Sequence, residues 1–224
     1  MKKAKKILAL VLCVLLLIGA TIAGTVAYMT SKDHTVTNTF SIGNVTITMD
    51  EADVNEYGQL LYKTSETDSE GKAVLSTTVT GNIADRVMAN SYKLIPAASY
   101  EKDPIVHVQA GSEPCWVFVV VNNGIANFES GATDATYKKI ATQLRDKGWS
   151  VLKEGIYYKE NVDARSEQQN LKVFEGFTIA EGAENVTGWG EATVTVTVTA
   201  HAIQAEGLTT AQAAATALGL ITTP

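Results

Sequence analysis

Along most of this chain apolar residues recur at every second position, the spacing of half-buried β-strands. The clearest run is Ala192 to Ala205, ATVTVTVTAHAIQA. Val194, Val196 and Val198 face one way. Thr193, Thr195, Thr197 and Thr199 face the other, with β-branched residues on both sides. His201 falls in the threonine row, the side expected to meet solvent. IVHVQA sets Val106 and Val108 against Ile105, His107 and Gln109. CWVFVVV, from Cys115 to Val121, is apolar on both faces and reads as a central strand covered on both sides, with Cys115 a core thiol. Nearer the start, Val36, Phe40 and Ile42 share one face, with Asn38 the polar member of that row. After Gly43 and Asn44 the apolar residues move to odd positions, Val45, Ile47 and Met49. A one-residue slip turns every side chain to the other face, so a bulge or kink is expected there, and glycine permits it.

Two stretches carry a helical period instead. In DATYKKIATQLRDK, Asp134 to Lys147, the residues Tyr137, Ile140, Ala141 and Leu144 line one face, and Gly148 is a natural stop. Leu208 to Leu218 reads as a short alanine-rich helix capped by Thr209 or Thr210. Between these elements, Leu60–Tyr62 and Ala73–Leu75 flank the turn-like TSETDSEG as a hairpin or excursion loop. WSVLKEGIYYKEN reads as a hairpin turning at Glu154 and Gly155, Val162–Gln169 as loop, and LKVFEGFTIA as a strand interrupted by Gly176. Seven to nine strands, one mid-chain helix and one short C-terminal helix predict a mainly β fold, an antiparallel β-sandwich. No repeat points to a solenoid.

The N-terminus is of another kind. Lys2, Lys3, Lys5 and Lys6 precede the apolar run Ile7–Ile18, and Gly24-Thr25-Val26-Ala27 supplies small residues for a signal-peptidase site between Ala27 and Tyr28. An uncleaved anchor is the competing reading, since Ile7 to Met29 carries no charge over 23 residues. Leu12 before Cys13 does not fit a lipidation site. The expected organisation is a signal at 1–27, an extended segment at 28–42 and a β-sandwich domain at 43–224.

Removing the signal takes four of the 18 basic residues and none of the 24 acidic ones, which leaves 197 residues with a formal charge of −10. That balance argues against nucleic acid as a partner and suits a soluble exported protein. Cys115 then has no second cysteine to pair with, so stability must come from packing.

AYMTSKDHTVTNTFSIGNVTITMDE resembles the mature N-termini of the TasA/camelysin family of bacterial surface and biofilm-matrix proteins. The shared pattern is small-x-Ala, an aromatic, a short polar run, then Asn-x-Phe-x-x-Gly-x-Val-x-Ile. The close match covers about 25 residues and extends more loosely through Val87–Asn123 and Thr193–Gly219. The resemblance implies a jelly-roll form of the sandwich and export by a dedicated signal peptidase. It also implies assembly into extracellular fibres by strand addition, as a homopolymer or with accessory matrix proteins. The membrane would be touched only through the uncleaved signal. Val36, Phe40 and Ile42 are the expected anchors of the donated segment. Relatives often carry Pro-Gly where this chain has Pro96-Ala97, and alanine there favours a type I turn over type II.

Chemistry is sparse. Asp50, Glu51, Asp53 and Glu56 lack EF-hand spacing and read as a solvated acidic turn. His34, His107 and His201 sit at no metal-ligand spacing, and two of them fall in rows expected to face solvent. There is no HExxH, CxxC, nucleophile elbow or Walker loop. Camelysin-like relatives have been described as metallopeptidases, so that activity is the enzymatic alternative; a monomeric surface adhesin or binding module is the other. The expectation is a non-enzymatic structural subunit with no catalytic, cofactor-binding or metal-ligating residues.

Overall fold

The computed structural model describes residues 44–78, 85–190 and 194–222. The expected signal, the cleavage pair Ala27 and Tyr28, His34 and the segment bearing Val36, Asn38, Phe40 and Ile42 lie outside the described residues. Contacts divide the chain into Met1–Ser41 and Ile42–Pro224, and the second unit is the one described below.

Among the described residues the fold is mainly β and antiparallel, sandwich-like, with two short α-helices. Its strands are β1 (Ile47–Asp50), β2 (Tyr62–Thr67), β3 (Ala73–Ser76), β4 (Ser99–Glu101), β5 (Ile105–Val108), β6 (Ser112–Asn123), β7 (Ser150–Lys153), β8 (Ile156–Ala164), β9 (Gln169–Lys172), β10 (Gly176–Thr178) and β11 (Val196–Gln204). Helix α1 (Ile140–Asp146) precedes β7, and α2 (Ala211–Ala217) follows β11. One sheet runs β11-β6-β8-β7 and another β1-β5-β9. β10 pairs with β4, and β2 with β3 as the expected hairpin. Among the described residues the eleven strands already exceed the expected seven to nine, because β4 and β10 are three residues long, too short for periodicity to register.

Alternation places the core as expected. Val106 and Val108 of β5 meet Cys115, Val117, Val119 and Val121 of β6 in one apolar cluster, and Val45, Ile47 and Met49 pack against it. The opposite face of β6 sends Trp116 and Phe118 against Ile156, Ala211, Ala214 and Ala215. Strand β6 is therefore covered on both sides. The Cys115 thiol is fully buried, burial raises its pKa to about 11, and it donates to the Val162 carbonyl at 3.6 Å. Register shifts bend the β6–β8 pair twice, next to Pro114 and next to Asn161, whose φ is +50°. A bulge is where an interior strand tolerates proline.

Four local expectations are corrected. Helix α1 starts at Ile140, not near Asp134, because distant groups hold the residues before it. Tyr137 N–H donates to Thr178 Oγ1, and the Tyr137 hydroxyl donates to Glu101. Ile140 N–H donates to the buried carboxylate of Glu129 at 2.7 Å, an N-terminal cap from outside the helix. Its end is as expected: Gly148 at φ +76° closes a motif in which Trp149 N–H reaches the Leu144 carbonyl. Val162–Ala164 belongs to β8, so the expected loop is shorter. LKVFEGFTIA is two strands in two sheets, β9 and β10. At Gly176 a Cβ would lie 2.3 Å from the Tyr100 carbonyl oxygen, so only glycine fits that crossing. Finally, Ala98 N–H donates to the Ile95 carbonyl across Pro96-Ala97, and Ala97 has φ +61°. The turn is of type II, with alanine in the left-handed position that glycine would occupy more cheaply.

Candidate functional site

In a strand, backbone N–H and C=O groups point alternately to the two edges. Thr195 and Ala205 bond toward β6, through Gly124 N–H and the Pro114 carbonyl. The even residues Val196, Val198, Ala200 and Ala202 therefore present their backbone groups to the other edge of β11. Among the described residues no strand pairs with that edge. The strand is nine residues long and contains no charged residue and no proline. Those are the usual guards of a sheet edge, and a long apolar edge without them is a template for another strand.

Among the described residues no named strand pairs with the outer edge of β1 either, although this strand is only four residues long and ends in the charged Asp50. Thr46 accepts from Gln109 on the β5 side, whereas Glu51 exchanges both backbone bonds with Val87 on the other. Met49 and Ile47, two and four residues before Glu51, aim their backbone groups to that same outer side.

A cleft of about 780 Å³ opens where β1 and β11 come together. Val194, Val196 and Val198 line one wall and Met49 another, with Ile125, Phe128 and Phe177 deeper. Trp189, set between Gly188 and Gly190, stacks edge-on against Phe128 at 5.4 Å. Residues 88–94 form a rim held from below. The Tyr100 hydroxyl donates to the Lys93 carbonyl at 2.8 Å and accepts from Ile95 N–H at 2.7 Å, and the ring stacks on Phe177 at 5.0 Å. Met88 at that rim is 79% exposed, the most exposed large apolar side chain among the described residues.

One corner of the cleft is charged. The Lys102 ammonium meets Glu51 Oε2 at 2.5 Å, and both residues are buried. Asn90 donates to Glu51 Oε1 at 2.9 Å and accepts from Val54 N–H. The Lys102 ammonium also lies 5.9 Å from the centre of the Tyr92 ring. The tyrosine pKa is raised by burial and by the nearby carboxylates Glu51 and Asp103. The solvated acidic turn expected at 50–56 is thus corrected at two positions: Glu51 is paired inside, and Asp50 is bound by Arg86. Both cations come from other parts of the chain, beyond any local window.

Next to that corner, Asp50, which also lines the cleft, forms a polar network with Arg86, Asp103, His107 and Asn170. Burial works against the Asp50 charge, but the hydrogen-bonded Arg86 and the neighbouring His107 outweigh it and hold the carboxyl below its ordinary 3.8. His107 Nδ1 is 2.6 Å from Asn170 Oδ1, and Nε2 is 3.1 Å from Asp50 Oδ2, off the line of a good hydrogen bond. The histidine expected to face solvent freely is instead largely covered by these neighbours. His201 is half-buried in β11. Among the described residues no group of three or more His, Cys, Asp and Glu side chains is placed to hold a metal ion, and no helix is long and apolar enough to cross a membrane.

The residues singled out in the sequence, Ala27, Tyr28, Val36, Phe40 and Ile42, all lie outside the described residues. Sequence reasoning missed the open edge of β11 and the cleft beside it. An uncharged, proline-free β11 was the readable signal for its open edge; nothing local marks Glu51, Lys102 or Trp189. Comparison with family models, with curated proteins and with solved structures returns no match.

Proposed function

We propose that this chain is an exported, non-enzymatic structural subunit of a bacterial cell-surface or biofilm-matrix fibre. In this reading, the N-terminal segment freed by cleavage between Ala27 and Tyr28 adds as a strand to the open edge of β11 in the next subunit. The unguarded β11 edge beside an apolar cleft carries the reading. Main-chain bonds to Val196, Val198, Ala200 and Ala202 supply affinity, and the cleft receives Val36, Phe40 and Ile42. The TasA/camelysin resemblance of the N-terminal segment supports the same assignment, together with its jelly-roll corollary and the partners it implies: further copies of the chain, accessory matrix proteins and a dedicated signal peptidase. Cleavage is then the switch, because an uncut signal keeps the donor segment at the membrane.

Negative-stain electron microscopy of the concentrated chain from Tyr28 to Pro224 tests this. Regular fibres are expected, and deletion of Tyr28–Asn38 should leave folded monomers. Fibres that survive the deletion would reject strand donation. Burying Phe40 is worth roughly 1.5–3 kcal/mol, and Phe40→Asp replaces that gain with an unpaired charge in an apolar site. The critical concentration should therefore rise at least tenfold. A second reading, a monomeric adhesin or binding module, draws on the size and aromatic lining of the cleft; uniform monomers of the intact chain would favour it.

A further inference from the structure

The cleft is not uniformly apolar, and neither is the row of side chains that would fill it. In the row Val36, Asn38, Phe40 and Ile42, the one polar member stands two residues before the aromatic one. A buried amide needs partners, or its desolvation opposes binding. The Lys102–Glu51 pair has capacity to spare. The ammonium carries three N–H donors, and among the described residues only Glu51 accepts from it. Each Glu51 oxygen accepts one bond, from Asn90 or from Lys102, and has a further lone pair. An asparagine side chain offers the complement: a carbonyl for the ammonium and an amide N–H for the carboxylate.

The spacing agrees. Same-face neighbours in a strand lie about 6.6–7 Å apart. From the Lys102 ammonium to the Tyr92 ring centre is 5.9 Å, and from Tyr92 to Phe177 is 5.5 Å. An amide seated on the ion pair thus puts the next side chain of its row, two residues on, at the aromatic cluster.

We propose that the buried Lys102–Glu51 pair fixes the register of the added strand by receiving Asn38, so that only one alignment seats Phe40 among the aromatic rings. This rests on the strand-addition reading above. Sliding the strand by two residues in either direction sets Val36 or Phe40 on the ion pair and moves Asn38 onto apolar wall. A slide of one turns the row away from the cleft altogether. The charged corner thereby acts on alignment and partner choice, much as one buried asparagine sets the register of a coiled coil.

The test turns on a sign. In a purely apolar groove Asn38→Val tightens assembly, whereas against the ion pair it weakens it. Near-UV circular dichroism of the Asn38→Val chain checks that the receiving fold is intact before assembly is measured. In the chain from Tyr28 onward, Asn38→Val is expected to raise the critical concentration, measured by sedimentation, about tenfold or more. Glu51→Met with Lys102→Met should raise it similarly, and combining all three substitutions should restore it to within about threefold of the unmodified chain. Unchanged or tighter assembly of the Asn38→Val chain overturns the proposal and leaves strand addition standing. Effects that simply multiply in the triple variant do the same. Failure of the unmodified chain to assemble overturns strand addition and this inference with it. Near-UV circular dichroism checks the folding of the Met/Met variant, and the sign obtained with Asn38→Val alone decides the matter if that variant is unfolded.

Discussion

Removing Lys102 should damage this fold far more than removing the whole ion pair. Glu51 is 4% exposed and Lys102 9%. In Lys102→Met the carboxylate keeps only the Asn90 amide as a side-chain donor. Stranding one member of a buried pair costs roughly 3–5 kcal/mol. At neutral pH the loss has a ceiling, since the stranded group can take up a proton instead, and protonating an ordinary glutamate at pH 7 costs about 3.7 kcal/mol. An expected loss of about 3–4 kcal/mol follows. In a domain of this size each kcal/mol moves Tm by roughly 2–4 °C, so the midpoint should fall by about 6–16 °C. The companion Glu51→Met, Lys102→Met variant should lie within about 1 kcal/mol of the unmodified chain, because apolar replacement of a whole buried pair is often neutral. Urea unfolding followed by tryptophan fluorescence measures both, with Trp116 and Trp149 in the core as reporters. The penalty in Lys102→Met should also shrink between pH 7 and pH 5, where protonation becomes cheap. A loss below about 1 kcal/mol, or one independent of pH, would refute the claim that the pair is shut away from water.

Three further outcomes test other parts of the fold. Ala97→Gly should stabilise by roughly 0.5–1 kcal/mol, because relief of the left-handed strain at φ +61° exceeds the added freedom of the unfolded chain; a lower Tm would show that the turn is not strained. Gly176→Ala should cost about 2–3 kcal/mol, since the new Cβ meets the Tyr100 carbonyl at 2.3 Å and the Tyr137 ring at 2.6 Å; a neutral result in urea unfolding would contradict that crossing. The carboxyls of Asp50 and Glu175 are held below their ordinary values in the fold, Asp50 by Arg86 and His107 against the effect of burial, Glu175 first by Lys147. The unfolded chain therefore takes up their protons first, and the stability they lend is present above the ordinary values of 3.8 and 4.5 and is lost as pH falls below them. Asp50→Asn should flatten the acid limb of a stability–pH curve, and an unchanged slope would remove Asp50 from the acid response.

Legibility in the sequence followed the range of the interactions. Alternation along Cys115–Val121 and Val194–Val198 is a property of neighbouring residues, and it located the two strands of the central pair and the buried thiol. The stop at Gly148 and the cap at Thr210, whose hydroxyl accepts from Ala213 N–H, are equally local. The start of α1 was not, because its cap is the carboxylate of Glu129, eleven residues away. The partners of Asp50 and Glu51 come from Arg86 and Lys102, and the left-handed Ala97 sits in a turn, with its N–H taken by the distant Ala180 carbonyl. On the candidate site, the open β11 edge was harder to read than any alternating row, because an edge is defined by which strand is missing beside it among the described residues.

The pairing of β11 with β6 has a temporal consequence. Gln204 lies opposite Cys115 and Val196 opposite Asn123, so this ladder joins residues more than seventy positions apart in the chain. Contacts of such long range close slowly, since the loop entropy must be met before any bond rewards it. A polypeptide that emerges N-terminus first exposes residues 28–42 well before residue 204 exists outside. Under the proposed strand addition, the edge that would receive another copy is therefore among the last features to form, and a chain still emerging could offer a strand before it could accept one.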